Sequence, residues 1–201
     1  MGWLAKKTLK LRHKLVRTLA PRVYKELELL QATVEAVPRP STRFARRHFK
    51  TASGLRVLEI GVAEGKNAET ILTGLPVTEL CLIDPYTPYV CAGGLHQNFH
   101  DSLAVAKDKL PNARWILKTS EEAVAEVMDE RFDFIYIDGN HSYAYVKKDL
   151  ELYYPLVRKG GILAGHDYVF DGSDVRNAVD EFAEKYDLEL QTAIPDWWIV
   201  K

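Results

Sequence analysis

The feature that most constrains this 201-residue chain is an alternation of short apolar runs with stretches of helical periodicity. Apolar runs occupy residues 55–60, 80–83, 114–117, 132–137 and 161–164. Helical spacing follows each of them, over 66–75, 101–110, 121–128, 143–156 and 175–186. Strands alternating with helices at this interval build βαβ units, and such units build a parallel sheet covered on both faces. The tail breaks the alternation. Residues 188–194 and 197–200 read as strands separated only by Pro195 and Asp196, too short a link for a helical crossover, so this pair must be an antiparallel hairpin. The expected fold is therefore α/β: a doubly wound, mostly parallel sheet of seven strands ending in that hairpin.

At 47% hydrophobic and 27% charged residues, the chain has enough apolar material for one full core and is not compositionally disordered. No run approaches eighteen apolar residues, which excludes a transmembrane helix. Cys81 and Cys91 lie ten apart and match no zinc or redox spacing, which points to a reducing compartment and a cytoplasmic location.

The near-neutral net charge of −1 conceals an uneven distribution. Residues 1–50 carry 13 of the 27 Lys and Arg with only three acids, a formal charge of +10, against −11 for the remainder. The expected organisation is a basic helical arm and linker over 1–50, followed by a single domain over 51–201. Leu4, Leu11, Leu15 and Leu19 recur at helical spacing among basic residues, Pro21 interrupts them, and Val23, Leu27, Leu30 and Val34 form a second register ended by Pro38 and Pro40. No apolar h-region marks a secretory signal, and Lys6 fails the myristoylation pattern. Three readings of the arm stay open: a cap on the body or on a second copy in a homodimer, peripheral contact with an anionic membrane surface or substrate, and an organelle address. Nucleic acid is not an expected partner, because no aromatic-basic interleaving accompanies the charge.

In an open α/β sheet, ligands bind beyond the carboxyl ends of the strands. Those ends here carry Glu59 with Gly61, Asp84, Ser120 with Glu121, Asp138, and Asp167. Each alone is explained as a helix cap or an Asx-turn; crowded on one sheet edge, they cost solvation and self-repulsion that a purely structural role does not offset. Val57 to Gly65 reads as strand, glycine turn and helix start, with Gly61 permitting the tight turn and Gly65 letting the helix begin against a ligand. Ala63 stands where a dinucleotide fingerprint needs glycine. Glu59 would repel a phosphate yet suits an ammonium group, and Asp84 is placed to accept both hydroxyls of a ribose.

On these residues, the chain from about Leu55 onward resembles the class I S-adenosylmethionine-dependent methyltransferases. Glu59-x-Gly61-x-x-x-Gly65 matches the family's first motif, Asp84 its ribose-binding acid, and Ser120 with Glu121 its adenine-contacting position. The hairpin is similar to that family's antiparallel addition to a Rossmann-like sheet. Ile137 to Tyr143 and Gly160 to Asp167 narrow the resemblance to macrolide-sugar and cephalosporin-tailoring O-methyltransferases, and more distantly to the catechol type. That resemblance implies Asp138 beside the cofactor, a divalent cation on Asp138 and Asp167, and His141 as catalytic base. His166 departs from the pattern, standing where the closest relatives carry a carboxylate, and is a third candidate ligand. Mg²⁺ is the first expectation for oxygen ligands; an imidazole in the shell shifts the expectation toward Mn²⁺, Fe²⁺ or Zn²⁺. The implied acceptor is a small-molecule or sugar hydroxyl. His96, His100, Tyr86, Tyr89, Trp197 and Trp198 are further candidates to meet it, the tryptophans reading rather as sheet packing. Two other classes stay open: a cofactor-binding protein with an interaction or regulatory role and no turnover, and an NAD(P)-dependent oxidoreductase, which Ala63 disfavours.

Overall fold

Residues 37–91, 94–96, 99–169 and 173–201 are described in the computed structural model of the protein, and the two helices expected within residues 1–34 lie outside them. The described segments form one unit, Val37–Lys201. It opens with α1 (Pro40–His48), whose first position is the proline that helix starts tolerate. Then come β1 (Leu55–Ile60), α2 (Lys66–Gly74), β2 (Val77–Ile83), the short strands β3 (Tyr89–Cys91) and β4 (Gly94–His96), α3 (Phe99–Lys109), β5 (Arg114–Ile116) and α4 (Ser120–Val127). The second half runs β6 (Phe132–Ile137), α5 (Tyr143–Tyr153), β7 (Val157–Gly165), α6 (Asp174–Lys185), β8 (Leu190–Ala193) and β9 (Asp196–Val200). A 3₁₀ turn, Tyr154–Leu156, ends α5 at Pro155, which has no N–H to continue the helix.

The main sheet has seven strands in the order β5-β2-β1-β6-β7-β9-β8. β5, β2, β1, β6 and β7 pair in parallel, whereas β9 runs antiparallel to both β7 and β8. The expected hairpin is thus present, and its second strand is the one inserted against β7. Strand order reverses between β1 and β6, the switch point where such sheets leave a crevice at their carboxyl edge.

Both faces are covered, which is why the central strands read as continuous apolar runs. Leu58, Ile60, Ile135, Ile137, Leu163 and Trp197 point to the face beneath α4, α5 and α6. Val57, Leu82, Phe134, Tyr136, Ile162 and Trp198 point to the opposite face, against Ala45 of α1, Ala68 and Ile71 of α2, and Ala106 of α3. Trp197 and Trp198 are both buried sheet packing.

Three differences from the sequence reading are instructive. Residues 37–50, grouped there with the arm, pack with the body. Ser41 and Ala45 of α1 are fully buried while Arg43, Arg46 and Arg47 face outward, so a run of arginines conceals an ordinary amphipathic helix. Asp196 of β9 accepts hydrogen bonds from the Ser41 N–H at 3.0 Å and from the Ser41 hydroxyl, and Phe44 stacks on Trp198. Secondly, β2 begins three residues early, where Val77 and Glu79 pair with Leu55 and Arg56 of β1, and Arg56 and Glu79 also form an ion pair at 2.8 Å. Thirdly, the polar stretch after Asp84 contains the antiparallel pair β3–β4, whose three-residue strands are too short to show a period.

Candidate functional site

A cleft of about 810 Å³ opens at the switch point, lined by the loops after β1, β2, β5 and β6. Glu59, Gly61, Asp84, Ser120, Asp138 and His141, all picked out by the sequence, line it. Arg39, Asn67, Tyr145 and Asp149 line it as well and were not foreseen.

The turn after β1 is held in an unusual conformation. Gly61, Ala63 and Gly65 have φ of 81°, 47° and 72°, three left-handed residues within five. Ala63 is strained there, and such strain persists only where the surroundings impose it. Asp84 imposes it: one carboxylate oxygen accepts from the N–H of Val62 at 2.8 Å and of Ala63 at 3.2 Å, and the other from the N–H of Tyr86 at 2.8 Å. Tyr86, a candidate acceptor contact in the sequence, is instead a buried brace whose hydroxyl donates to the Ala63 carbonyl. A Cβ on Gly61 would collide with the backbone carbonyl of Asp138, so this glycine lets the first loop pass beneath the fourth. Gly65 serves a role the sequence did not indicate. It lies outside the cleft lining, and a Cβ there would meet Leu110 and Ala106 at 3.0 and 3.3 Å, so it lets α2 start against α3.

Glu59 lies at the end of β1, 1% exposed. Its Oε1 accepts from the Asn67 amide at 3.1 Å. Burial pushes its carboxyl up to about 8, against the pull of that hydrogen bond. Its Oε2 and the Asn67 Oδ1 are both buried acceptors with no donor among the described residues. Two neighbouring acceptors awaiting donors match an ammonium group, which has donors only. This is the test that the chemistry of an amino-acid-bearing cofactor sets, and these residues pass it. The carboxylate of Asp84, which has about four lone-pair sites, keeps capacity for ribose hydroxyls beyond its three backbone donors.

Across the cleft, Thr119 caps α4 through a reciprocal capping box with Glu122. That box sets Ser120 at the first turn, where its hydroxyl donates to Asp149 Oδ1. Glu121 points elsewhere: it is exposed, pairs with Lys148 at 3.1 Å and lies outside the cleft lining.

The far end carries a cluster of charges. Ligand atoms of Asp138, His141 and Asp167 all lie within 4.8 Å of one another. His141 Nε2 stands 3.4 Å from Asp138 Oδ1 and 3.1 Å from Asp167 Oδ2. Burial alone would lower the His141 pKa, but the hydrogen bond to Asp138 and the charges of Asp167 and Asp138 outweigh it and raise it. Asp167 takes a left-handed φ of 59° to face this cluster.

His166, the third candidate ligand and a departure from the family pattern, is placed differently. It is 6% exposed, and its Nε2 lies 2.6 Å from Nη1 of Arg39. A guanidinium only donates, so this nitrogen must accept. Its Nδ1 lies 3.3 Å from Asp167 Oδ1 and 3.7 Å from Asp138 Oδ1. The two acids favour a protonated ring, while the guanidinium requires a bare Nε2. Burial and the guanidinium lower the ring's pKa, but the hydrogen bond to Asp167 and the charges of Asp138 and Asp167 outweigh them and raise it, which holds a proton on Nδ1, directed at the carboxylates. His166 therefore stands behind Asp138 and Asp167 as a donor. Two carboxylates with an adjacent imidazole are a donor set that fits a divalent cation.

The cleft at the switch point and the antiparallel β9 insertion define a Rossmann-like methyltransferase fold. A family model described as "Methyltransferase domain" matches residues 58–168, more than half of the chain, and the chain belongs to that family. The calicheamicin methyltransferase CalS11 superposes with a TM-score of 0.61 at 14% identity, over 100% of this chain and 93% of that one. An O-methyltransferase from Bacillus cereus, solved in complex with SAH, gives 0.58 at 13% identity over 94% and 96%. At these identities the likeness is one of fold. Among curated proteins, one from Acanthamoeba polyphaga mimivirus is 30% identical over 118 residues, 57% of this chain. Protein y4gI of Sinorhizobium fredii is 26% identical over 117 residues, 56% of this chain. The matched stretch spans 52% of the mimivirus protein and 13% of the rhizobial one. No helix among the described residues is long and apolar enough to cross a membrane.

Proposed function

We propose that the protein transfers a methyl group from S-adenosylmethionine to a hydroxyl of a small molecule or sugar, assisted by a divalent cation, Mg²⁺ first among them. The observation that carries this reading is a single cleft with two chemically distinct ends. Glu59, Asn67 and Asp84 face one end as acceptors for an ammonium and a ribose; Asp138 and His141 line the other, and Asp167, outside the lining, reaches to 3.1 Å from His141.

Methyl transfer from a sulfonium is an in-line displacement with a good leaving group already present, so alignment and a nucleophilic acceptor are what the protein must supply. A bound cation would supply a Lewis acid that lowers the pKa of an acceptor hydroxyl. Asp138 and Asp167 would hold it, since Mg²⁺ is commonly held by one or two carboxylates with water and substrate completing the shell. His141, beside both carboxylates, is in its neutral form the base that would take the hydroxyl proton. His166, its Nε2 facing Arg39, donates from Nδ1 toward Asp167 and fixes that carboxylate's orientation. The strained turn at Ala63, clamped by Asp84, sets where the cofactor's methionine end lies relative to Asp138.

Calorimetry with adenosylhomocysteine and a radiolabelled methyl-transfer assay over a panel of hydroxylated acceptors test the reading. Adenosylhomocysteine should bind, and chelation should abolish turnover while leaving that binding intact. Full activity in excess chelator would remove the cation, and NAD binding in place of adenosylhomocysteine would remove the methyltransferase.

A further inference from the structure

The outer face of α1 has no part in the chemistry above. Its inner face, Ser41, Thr42 and Ala45, is buried together with Phe49. Its outer face carries Arg43, Arg46 and Arg47, with Lys50 just past the helix end, all exposed. These positions stand at i, i+3, i+4 and i+7, a single stripe of helix surface. None of the four side chains pairs with an acid among the described residues, and residues 37–50 contain no Asp or Glu. The rest of the body treats its cations differently. Arg56, Arg114, Lys118, Lys147, Lys148 and Lys185 each pair with a glutamate.

The stripe continues onto a second element. His48 Nε2 donates to the Gly160 carbonyl at 2.9 Å, which seats the end of α1 against the start of β7. Lys159 in that stretch is exposed and likewise pairs with no acid among the described residues. Because β7 runs parallel to β6, its start lies at the sheet edge opposite the cleft. α1 therefore leads from Arg39 in the cleft lining to a cationic surface at the other edge. Cations in the last turn of a helix complement its dipole, which accounts for Arg46 and Arg47. It does not account for Arg43, Lys50 or Lys159, and like charges at i+3 and i+4 repel one another. That repulsion is relieved only when fixed anions face the stripe.

We propose that the outer face of α1, continued by Lys50 and Lys159, docks the protein on an anionic membrane surface, its cations among lipid phosphates and the cleft left open at the opposite edge. The face offers no free ring on which a nucleic-acid base could stack: Phe49 is buried, and Phe44 stacks on His48 and Trp198. The sequence leading into α1 favours the same partner. Residues 1–36 carry eight Lys and Arg against three acids, with Leu4, Leu11, Leu15 and Leu19 at helical spacing. Attachment to a membrane surface scales with buried apolar area plus attraction to anionic lipids; the leucines bring the first and α1 adds to the second. This docking does not depend on which reaction the cleft performs.

Vesicle flotation of the full chain tests it. Vesicles of phosphatidylcholine mixed with phosphatidylglycerol should carry the protein, and vesicles of phosphatidylcholine alone should not. Salt at about 1 M, where the screening length falls to about 3 Å, should release it. Each cation at an anionic surface strengthens attachment by about fivefold, so the combined variant Arg43→Gln, Arg46→Gln, Arg47→Gln should weaken vesicle binding by at least about tenfold. Those side chains are exposed, and the variant's thermal unfolding should stay close to that of wild type. Lys118→Gln, Lys147→Gln, Lys185→Gln removes the same charge from cations already paired with glutamates and should bind vesicles within about twofold of wild type. Equal losses in the two combined variants would show attraction to net charge rather than to this face, and overturn the proposal. So would vesicle binding that survives removal of the three arginines. A wild-type protein that ignores anionic vesicles overturns it without any variant, and one that duplex RNA strips from them at equal phosphate concentration assigns the face to nucleic acid instead.

Discussion

The two ends of the cleft are built from the same raw material, acids at the carboxyl ends of parallel strands, and they use it in opposite ways. At the cofactor end, Asp84 is neutralised by fixed backbone N–H groups and Glu59 by burial and one amide. Neither makes a hydrogen bond or ion pair with a titratable side chain among the described residues, and the charges of Asp138, Arg39 and Asp84 act on Glu59 only after burial and the Asn67 amide. At the other end, Asp138, His141, His166 and Asp167 hold one another, with Arg39 behind them. Removing any member there changes the charge felt by the rest. The first end is a mould; the second is a balance of charges, the arrangement expected where a proton or a cation is handled.

That contrast is broken most directly by a crossed pair of variants. His141→Ala should lower turnover by about 10²–10⁴-fold, the usual loss for a general base, with adenosylhomocysteine affinity unchanged. Asp84→Ala should do the reverse, weakening adenosylhomocysteine by more than about 1.4 kcal/mol, a factor of ten, because the strained turn loses its clamp. Calorimetry and steady-state kinetics on both proteins read the two effects. If both variants lose binding to the same extent, the two ends are one structural unit and the comparison fails.

A smaller effect sharpens the same point through pH. The Glu59 carboxyl is raised from 4.5 to about 8 in the folded protein, so the folded state favours the protonated form. Its contribution to stability is present in full below pH 4.5 and is lost as pH rises through 8. The Asp149 carboxyl, raised to about 7, acts in the same direction. An ammonium group beside Glu59 would favour its ionised form and release the proton. Thermal unfolding of the ligand-free protein should therefore fall in temperature between pH 5 and 8, and adenosylhomocysteine affinity should rise severalfold over that interval. Glu59→Gln should flatten both trends.

The smallest expected effect belongs to Glu121. Its exposed pairing with Lys148 predicts that Glu121→Ala changes adenosylhomocysteine affinity by less than about twofold, as befits a surface ion pair. A tenfold loss in calorimetry would return Glu121 to the cofactor contacts that its position in the motif implies.

The sheet was legible in the sequence because its central strands are buried on both faces and therefore read as unbroken apolar runs. The strand-end acids were legible because topology alone brings them to one edge. What escaped is what only tertiary contact decides. Arg39 is one of thirteen basic residues in a stretch dominated by charge, and nothing local distinguishes the guanidinium that reaches His166 from those that face solvent. Asp149 looks like any polar residue on an amphipathic helix until Ser120 and Gly139 close around it. Gly65 matched the motif for a reason other than a ligand, since the space it spares is filled by Ala106 and Leu110. Glu121 and Ser120 are adjacent in the motif, but the capping box at Thr119 turns one inward and the other out.

The grip of Asp196 on Ser41 has a consequence for the order in which the molecule is made. The two residues are 155 positions apart, and Arg39 immediately precedes the helix they secure. At about 5–20 residues per second, α1 leaves the ribosome many seconds before the strand that fastens it exists. In the last part of that interval β7, once made, keeps a bare edge until β9 pairs with it, and the charged cluster lacks its fixed guanidinium. The turns after β1 and β2 are thus made long before the strand that fastens α1, and the guanidinium end of the site is the last to be set.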